Sequence, residues 1–512
     1  MTGHIATFSD LRENQDLSCD VCIIGSGAGG SVLAAQLAAR GLNVIVLEEG
    51  GHYGRADFDG DEAKAYSSLY RARGTFATAD LTMTILQGRT VGGSTTVNWT
   101  SCFRTPDSIL SRWRSQHGSV LSTEQLAPHW EAVEKRLGVQ EWPEKLANPN
   151  NKVLYDGARS LGWKVNPLRR NVVGCMNTGY CGLGCPVDGK QGMAITYLRD
   201  AVSTGVRVFA NTRVHKLRRQ GNRVTSVEAQ VLDPRTERPS GVEIRVQPKL
   251  VVSSAGAVGS SALLLRSDIN PNGQAGKRLW MHPVVGLPAL YPHKIEGYYG
   301  APQASSCHEF IERGPGKMGW FLETPPMQPM LIASATKGVG AELESFMERL
   351  PNMGCVIAIL RDGLLEEEEG ATLTLRRDGR IRVDYAWTDA HNEAFRAASI
   401  AIARVSLAAG ALEIHSGHIE PIVVRKEADL ELFEQAAWGP HQHGIFTAHQ
   451  MGGCAMGNDP ETSVVGPSLR HHHVDNLFVV DGSVFPSSLG VNPSLSIYGL
   501  AHWASEGIAD AV

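Results

Sequence analysis

The chain has 512 residues, more than one ordinary hydrophobic core holds, so we expect two domains. Hydrophobic residues make up 42% of it and charged residues 20%, the proportions of a globular protein. The net charge of −5 is too small to indicate nucleic acid or an anionic membrane as a partner. Neither a secretory signal nor a transmembrane stretch is predicted. The nine cysteines are therefore expected to be reduced thiols of a cytoplasmic protein.

A strand–turn–helix–strand unit lies at residues 20–51, and the rest of the chain is organised around it. The apolar run at 21–24 predicts a buried strand, 31–40 predicts a helix, and 44–47 predicts a second strand. The turn before the helix is rich in glycine, and the second strand ends on the acid Glu48. This arrangement in a single unit is typical of dinucleotide binding, for which a glycine motif alone would be weak evidence.

Each glycine of the turn has a predicted physical task. Gly25 permits the tight turn, Gly27 lets the backbone approach a pyrophosphate, and Gly30 allows helix and strand to pack closely. The phosphates would lie at the helix N-terminus, and Glu48 would accept a hydrogen bond from a ribose hydroxyl. The candidate cofactor-binding residues of this unit are Gly25, Ser26, Gly27, Ala28, Gly29, Gly30, Glu48 and Glu49.

A second glycine-rich segment follows at residues 87–98. Two adjacent glycines precede three hydroxyl residues, an order that offers close backbone approach and small donors to a large polar ligand. Taken alone, an ordinary turn explains the segment about equally well. Beside the first motif, cofactor contact is the better interpretation. The candidates here are Arg89, Gly92, Gly93, Thr96, Val97 and Asn98.

The opening unit together with GRTVGGSTTVN resembles the glucose–methanol–choline (GMC) flavin oxidoreductases, which bind FAD. The resemblance implies an α/β fold, in which a Rossmann-like FAD-binding domain carries an inserted α+β substrate domain with an antiparallel sheet backed by helices. In several members a histidine just before the motif's asparagine carries the flavin covalently. This chain has Val97 there. The resemblance therefore implies non-covalently bound FAD.

Both predicted domains are discontinuous. The FAD-binding domain is expected to comprise residues 17–105, 188–280 and 444–512. The substrate-binding domain, with a cysteine-rich loop, is expected to comprise 106–187 and 281–443. Two alternating runs around Asp378-Gly379 predict a hairpin within this second domain.

Three cysteines, Cys175, Cys181 and Cys185, lie within eleven residues. Their loop resembles the cysteine-rich loop of GMC long-chain alcohol oxidases and dehydrogenases. In membrane-associated sugar dehydrogenases of the family, cysteines of a similar loop hold a three-iron cluster. We favour a glycine-rich loop with small buried thiols near the flavin, because cysteine is often a small buried hydrophobe, and we expect no metal. Zinc is disfavoured further, because a nearby fourth ligand is missing.

Residues 250–269 predict a strand, a small-residue turn and a helix. The segment resembles the second GMC signature, which makes Ala255 a candidate cofactor contact. Val214 falls where the family's backbone meets the adenine. A packed strand–helix unit without any ligand contact is an equally good interpretation for either residue alone.

The C-terminal part carries the candidate catalytic residues. Asp481-Gly482 follows a strand, where backbone N–H groups can meet a phosphate or the ribityl chain. By itself Asn492, followed by Pro493, reads as a helix cap, and His449 reads as a loop histidine. The segments HQMGGC, VVDGSVFP and GVNPSLSI, however, resemble the GMC C-terminal block. His449 and Asn492 match its two positions that face the flavin, in the His/Asn version of the choline and cholesterol oxidases.

The resemblance implies oxidation of an alcohol CH–OH group, with hydride transfer to flavin N5. A neutral imidazole suits the base, so His449 is the candidate base and Asn492 the candidate anchor of the alcohol oxygen. His441 and His443 lie close to the first position, and His443 or Glu323 would be the alternative base.

The resemblance of the cysteine loop to that of long-chain alcohol enzymes implies a hydrophobic primary or secondary alcohol as substrate. The electron acceptor is oxygen, a quinone or a carrier protein, and the sequence does not distinguish them. One alternative is a flavin-containing lyase or isomerase on the same fold, without net oxidation. A nicotinamide-dependent dehydrogenase would also use the opening unit. It would leave the second glycine segment and the C-terminal block unexplained.

Overall fold

A computed structural model describes residues 3–512 of the chain, and its strands form two large sheets and two small ones. The strands, in chain order, are β1 (His4–Ala6), β2 (Gln15–Ile24), β3 (Val44–Leu47), β4 (Met83–Ile85), β5 (Val139–Glu141), β6 (Val165–Pro167), β7 (Arg169–Asn171), β8 (Arg207–Phe209), β9 (Thr212–Gln220), β10 (Arg223–Leu232), β11 (Pro239–Ser253), β12 (Leu279–Trp280), β13 (Val284–Leu290), β14 (Ser305–Cys307), β15 (Trp320–Glu323), β16 (Met353–Leu360), β17 (Ala371–Leu375), β18 (Ile381–Tyr385), β19 (Glu413–His415), β20 (Val423–Val424), β21 (Ile445–Thr447), β22 (Met451–Gly452) and β23 (Leu477–Val479).

Helices pack against both large sheets. The α-helices of the described residues are α1 (Ala28–Ala39), α2 (Glu62–Leu69), α3 (Asp107–His117), α4 (Thr123–Leu137), α5 (Pro149–Ser160), α6 (Tyr197–Ser203), α7 (Gly256–Arg266), α8 (Pro329–Ala335), α9 (Ala341–Glu348), α10 (Asp389–Ala408), α11 (Glu431–Gln435) and α12 (Ser494–Ala509). Within residues 3–512, no helix is both long enough and apolar enough to cross a membrane.

The first large sheet has the strand order β1-β8-β3-β2-β11-β10-β9, and β23 also pairs with β11. Its strands β1, β8, β3, β2, β11 and β23 run parallel, whereas β9 and β10 form an antiparallel extension. Every residue of β3 is buried, as expected for a parallel strand with both faces covered. Helices α6 and α12 pack against α1 over this sheet.

The opening unit folds as a Rossmann-like strand–helix–strand. Both predicted strands form, and β2 is longer than its apolar run. The helix, expected at 31–40, begins earlier, at Ala28. The first turn of the helix consists of small residues, none of which has a side chain that opposes helical geometry. Gly27 is the cap residue, and no side chain caps the helix.

The second large sheet has the order β20-β19-β13-β16-β15-β14-β6 and is antiparallel along this path. Helices α5 and α10 pack against it, and their apolar faces share a core with β13, β15 and β16. The predicted hairpin at residues 371–385 forms as β17 and β18, which belong to a separate four-stranded sheet.

Two strands depart from the predicted domain boundaries. β4 and β21 come from segments expected in the FAD-binding domain, yet they pair with each other and β21 pairs with β13 of the antiparallel sheet. The reason is local, since Met83 and Ile85 are apolar and pack in the core of that sheet. Helices α3 and α4, expected in the substrate-binding domain, also depart, because their buried apolar side chains pack in the core of the parallel sheet and α4 packs against α12. The other boundaries stay a prediction.

Candidate active site

A deep cleft of about 2050 Å³, its open mouth included, lies between the two large sheets. One wall consists of loops at the C-terminal ends of the parallel strands, represented by Gly25, Glu48, Ser254 and Asp481. In open α/β sheets this is the edge where ligands bind. The antiparallel sheet and the C-terminal segment supply the opposite wall.

The three glycines with predicted tasks differ in what surrounds them. Gly25 has a φ of +98°, in the left-handed region, and a Cβ there would lie 2.5 Å from the Ser254 carbonyl oxygen. A Cβ on Gly30 would lie 1.9 Å from the Gly25 carbonyl oxygen. A Cβ on Gly27 would meet only the Gly93 Cα atom, at 3.8 Å. Gly27 therefore leaves open space in the cleft.

The N-terminus of α1 is free to bind an anion. Gly27 is its cap residue, no side chain caps the helix, and its first turn holds no acidic residue. Ala28 and Gly29 of this turn line the cleft. Unpaired N–H groups at a helix start, beside an open glycine backbone, fit a pyrophosphate.

Glu48 lies at the cleft wall, and its carboxylate supports the glycine turn. It accepts hydrogen bonds from the backbone N–H of Ser26 (2.9 Å), the Ser26 hydroxyl (2.7 Å) and the N–H of Gly50 (2.8 Å). Burial raises the pKa of Glu48, and these hydrogen bonds oppose the rise. The Ser26 oxygen also accepts the N–H of Gly92 at 3.0 Å. Ser26 and Gly92 thus lie behind the wall and join the two glycine segments.

The two glycine segments are in direct contact at Gly27 and Gly93. Gly93 has a φ of +57°, and its Cβ would lie 2.7 Å from the Gly27 Cα atom. Val97 and Asn98 line the cleft, whereas the hydroxyl of Thr96 donates to the Val91 carbonyl at 3.1 Å and faces away. Of the predicted cofactor residues, Ser26, Gly30, Gly92 and Thr96 therefore do not line the cleft.

The end of the cleft near Val214 and Ala255 is rich in arginine. Burial would raise the pKa of Glu49, but nearby guanidinium groups, with Arg71 the foremost, lower it. The Arg71 Nη2 atom lies 3.3 Å from a Glu49 oxygen, and Arg89 pairs with Glu237 at 2.8 Å. Sequence reasoning missed three cleft arginines, because none of them belongs to a cofactor motif; they are Arg71, Arg213 and Arg266.

Asp481 and Gly482 also line the cleft. The Asp481 carboxylate accepts the N–H of Gly256 (2.8 Å), the Ser260 hydroxyl (2.6 Å) and the N–H of Ser483 (2.8 Å). Its oxygens therefore fix the start of α7 and the turn after β23. The backbone of Gly482 remains available to a ligand.

His449 and Asn492 line the same cleft, on the side of the antiparallel sheet. Burial lowers the pKa of His449 to about 4. Its Nδ1 atom lies 3.2 Å from Nδ1 of His282, and its Nε2 atom has no hydrogen-bond partner among residues 3–512. Asn492 does not cap α12, whose cap residue is Pro493; its amide nitrogen donates to Glu323 at 3.3 Å.

Glu323 ends strand β15 and is fully buried behind Asn492. Its Oε2 atom also accepts from the Gln303 amide at 2.5 Å, and the Ser101 hydroxyl donates to Gln303 at 2.7 Å. Burial raises the pKa of Glu323 to about 8, although the two amide donors lower it. Sequence reasoning missed Gln303, because a single polar residue in an irregular segment carries no signal.

Replacing Glu323 with Gln should stabilise the protein at alkaline pH. Between its ordinary pKa of 4.5 and about 8, the unfolded chain has lost a proton that the folded protein keeps. Stability of the wild type therefore falls as pH rises through this window, and the neutral amide avoids that loss. The variant should gain on the order of 2–5 kcal/mol by pH 8 and nothing below pH 4.5. Calorimetric melting from pH 4 to 9 tests this, with exposed Glu366→Gln as control. A pH-independent difference would contradict it.

The two histidines near His449 lie outside the cleft. His441 contacts the Thr82 hydroxyl at 3.2 Å. His443 packs against Phe395 and Trp438, with ring centroids 4.8 and 5.0 Å apart. His443 is therefore excluded as a base that contacts a ligand in this cleft.

The cysteine loop braces the segment that carries Val97. The buried Lys190 ammonium donates to the carbonyls of Cys181 (2.6 Å), Asn98 (3.2 Å) and Thr96. Burial lowers the pKa of Lys190 to about 8. Cys175, Cys181 and Cys185 are free thiols that are half-buried and not buried as predicted, because the loop lies at the surface. No three potential metal ligands converge within residues 3–512. The absence of iron stays a prediction.

An open parallel sheet with a glycine turn, beside a second, antiparallel sheet, defines the architecture of a dinucleotide-binding protein. Comparison with known sequences identifies the family to which the chain belongs. The GMC oxidoreductase family pattern matches residues 66–284 and 371–501, and a NAD(P)-binding Rossmann-like domain pattern matches 23–64. The chain belongs to the GMC oxidoreductase family and is an FAD-dependent oxidoreductase. The predicted family and fold class are confirmed.

Individual relatives agree with this assignment. An uncharacterized GMC-type oxidoreductase of Mycobacterium tuberculosis strain H37Rv is 31% identical over 94% of this chain and 74% of its own length. Long-chain-alcohol oxidase FAO4A of Arabidopsis thaliana is 30% identical over 97% of this chain and 69% of its own. The crystal structure of pyridoxine 4-oxidase from Mesorbium loti has a TM-score of 0.71 at 20% identity, covering 96% of this chain and 99% of that one. This last likeness shows the fold alone.

Proposed function

We propose that the protein oxidises the CH–OH group of a hydrophobic alcohol, with His449 as the base. The observation that carries the proposal is one cleft that combines a cradle for FAD with His449, Asn492 and an apolar wall. When bound, FAD would supply the hydride acceptor. The glycine turn and the start of α1 would hold its pyrophosphate.

His449 is suited to take the hydroxyl proton. Because burial lowers its pKa to about 4, the imidazole is neutral at pH 7 and can accept a proton. Its Nε2 atom has no partner among the described residues and belongs to a side chain that lines the cleft. A substrate hydroxyl at hydrogen-bond distance from this nitrogen would meet the geometric requirement for a general base.

Asn492 is suited to hold the alcohol oxygen. One hydrogen of its amide goes to Glu323, which fixes the side chain. The second hydrogen is then available to the oxygen as negative charge develops on it. Such a fixed donor stabilises charge in a site that excludes water.

The substrate side of the cleft supports a hydrophobic alcohol. The antiparallel sheet contributes four lining side chains, Val284, Ile357, Ile359 and Phe446, and all are apolar. The charged lining residues, such as Glu49 and Arg266, come from outside that sheet. Apolar walls favour binding of an alkyl or aryl group by removing it from water. The similarity to a long-chain-alcohol oxidase points to the same substrate class.

Anaerobic mixing with a panel of aliphatic, aromatic, steroid and sugar alcohols tests the proposal. Hydrophobic alcohols should bleach the visible flavin absorption, and sugars should do so far more slowly. Conversion of substrate without bleaching would replace oxidation by a lyase or isomerase activity. Adding oxygen, a quinone or a carrier protein to the bleached enzyme then identifies the electron acceptor by the rate at which colour returns.

The FAD should leave the polypeptide on acid or heat denaturation. Val97 occupies the position of the family's linking histidine; it is buried at the cleft wall and has no atom that could form the bond. The supernatant of precipitated protein should contain about one FAD per chain by absorption. Flavin that stays with the precipitate would contradict non-covalent binding and would call for a search for another attachment residue.

A further inference from the structure

We propose that His282 is a positioning residue for His449. The Nδ1 atom of His282 accepts a hydrogen bond from the Nδ1–H of His449, which leaves the Nε2 atom of His449 without a hydrogen and able to act as the base in the cleft. The inference rests on the proposed role of His449. The two side chains come from segments 167 residues apart, and their Nδ1 atoms lie 3.2 Å apart. Their rings are nearly perpendicular, at 77°.

The burial of His282 makes the hydrogen bond between the two rings consequential. His282 is 0% exposed and lies directly behind His449. A neutral imidazole carries one hydrogen, so a base at Nε2 requires that hydrogen on Nδ1. In a buried site this N–H needs an acceptor, and Nδ1 of His282 is the acceptor within reach. The bond also fixes the ring orientation.

The backbone of His282 is held in an unusual conformation. Its φ is +47°, in the left-handed region that residues other than glycine seldom occupy. Asp362 maintains it, because its two oxygens accept the N–H of Met281 (2.8 Å) and of His282 (2.9 Å). The Tyr385 hydroxyl in turn donates to Asp362 at 2.8 Å. Strained backbone that is fixed by its surroundings is typical of functional sites.

A second connection holds the two histidine segments together. The Thr447 hydroxyl donates to the Met281 carbonyl, and its oxygen accepts the N–H of His449 at 3.2 Å. The imidazole pair is therefore fixed from both backbones. Rotation of either ring away from the other would leave a buried nitrogen without its partner.

The proton arrangement has a consequence for the charged state. When His449 takes up a proton at Nε2, its Nδ1–H still points to His282, and the bond becomes charge-assisted. Removing the acceptor should therefore make His449 harder to protonate. In the opposite arrangement His282 donates its Nδ1–H to His449. The buried Nε2 atom of His282, which has no hydrogen-bond partner, would then carry no hydrogen. The opposite arrangement would also block protonation of His449 at Nδ1. The two arrangements therefore predict opposite changes in the pKa of His449 when His282 is removed.

Other ionisable groups surround the pair. Burial lowers the pKa of His282 well below its usual range, and the charges of His449 and Arg361 lower it further. Asp362 faces its backbone, and burial raises the pKa of that carboxyl to about 6. Glu368 adds to the negative potential around Tyr385 behind it. A direct observation of the His449 ring is therefore needed beside any pH–rate profile.

The test combines variants with nitrogen NMR of the FAD-bound protein. In ¹⁵N-histidine-labelled enzyme without substrate, His449 should show hydrogen on Nδ1 and none on Nε2. His282→Leu should reduce the rate of flavin reduction about tenfold to a hundredfold, as expected for a misplaced base. Its low-pH limb should move to lower pH by about one unit. His282→Asn, whose carbonyl can accept the same hydrogen, should restore both.

A matched control exists elsewhere in the chain. His129 and His502 form another Nδ1–Nδ1 contact, at 2.8 Å, outside the cleft. His129→Leu should leave both rate and profile unchanged. An Nε2–H signal on His449, or a limb that moves to higher pH in His282→Leu, would overturn the proposal. The NMR result needs no substrate, so failure of the alcohol panel would refute the proposed function separately.

Discussion

Changing Gly27 to Leu should abolish FAD retention while leaving the protein folded. The residue has a φ of −75°, which any amino acid adopts, and its Cβ would meet only one atom within 4 Å, so the backbone tolerates the change. The new side chain would project into the cleft where the start of α1 offers its N–H groups. We expect the dissociation constant for FAD to rise at least about a hundredfold, equivalent to about 2.8 kcal/mol.

Gly54 provides the matched control for this variant. It also has an ordinary φ, of −122°, and nothing lies within 4 Å of an added Cβ, but it does not line the cleft. Gel filtration followed by the ratio of flavin to protein absorption compares Gly27→Leu with Gly54→Leu. Circular dichroism shows whether both fold. Equal flavin content in the two variants would exclude Gly27 from the cofactor site.

The sequence predicts those parts of the fold that depend on residues close together in the chain. In the unit at residues 20–51, apolar runs predict the two strands and glycines predict the turn. Both strands form where expected. Its helix began before the predicted start, because Ala28 to Gly30 look like turn residues and are nevertheless helical. Local composition cannot distinguish these two uses of small residues.

The catalytic end of the cleft depends on contacts between distant segments. Asn492 meets Glu323, 169 residues away, and His449 meets His282, 167 residues away. No spacing in the sequence specifies such pairs, because they follow from the packing of two sheets. Asn492 shows the consequence, since a helix-cap pattern was the best local interpretation and its amide bonds a buried carboxyl instead.

The same distinction explains the departure at the domain boundary. The segments of β4 and β21 lie next to cofactor motifs in the sequence, within the ranges expected for the FAD-binding domain. Their apolar side chains pack with the antiparallel sheet, so tertiary contacts decided their membership. Val97 and His449 follow these strands in sequence and line the cleft beside the apolar wall.

Replacing His449 with Ala should lower the rate of flavin reduction about a hundredfold to ten-thousandfold, the usual contribution of a positioned base. The low-pH limb of the rate should disappear as well. In the wild type the rate falls as pH drops towards about 4, because the protonated imidazole cannot accept the hydroxyl proton. FAD binding should survive, since the pyrophosphate cradle lies at residues 25–30. Anaerobic stopped-flow measurement from about pH 3 to 9, a range that contains the limb near 4, gives both quantities.

Two further variants make the His449→Ala result specific. His443→Ala removes a buried histidine outside the cleft and should leave the rate and its pH limb intact. Asn492→Ala should slow flavin reduction yet keep the limb, because the base remains and only the oxygen anchor is lost. Wild-type reduction by His449→Ala across the whole pH range would exclude His449 as base. The buried carboxyl of Glu323, linked to the cleft through Asn492, would then be the next candidate, since a base there would place the pH limb near 8.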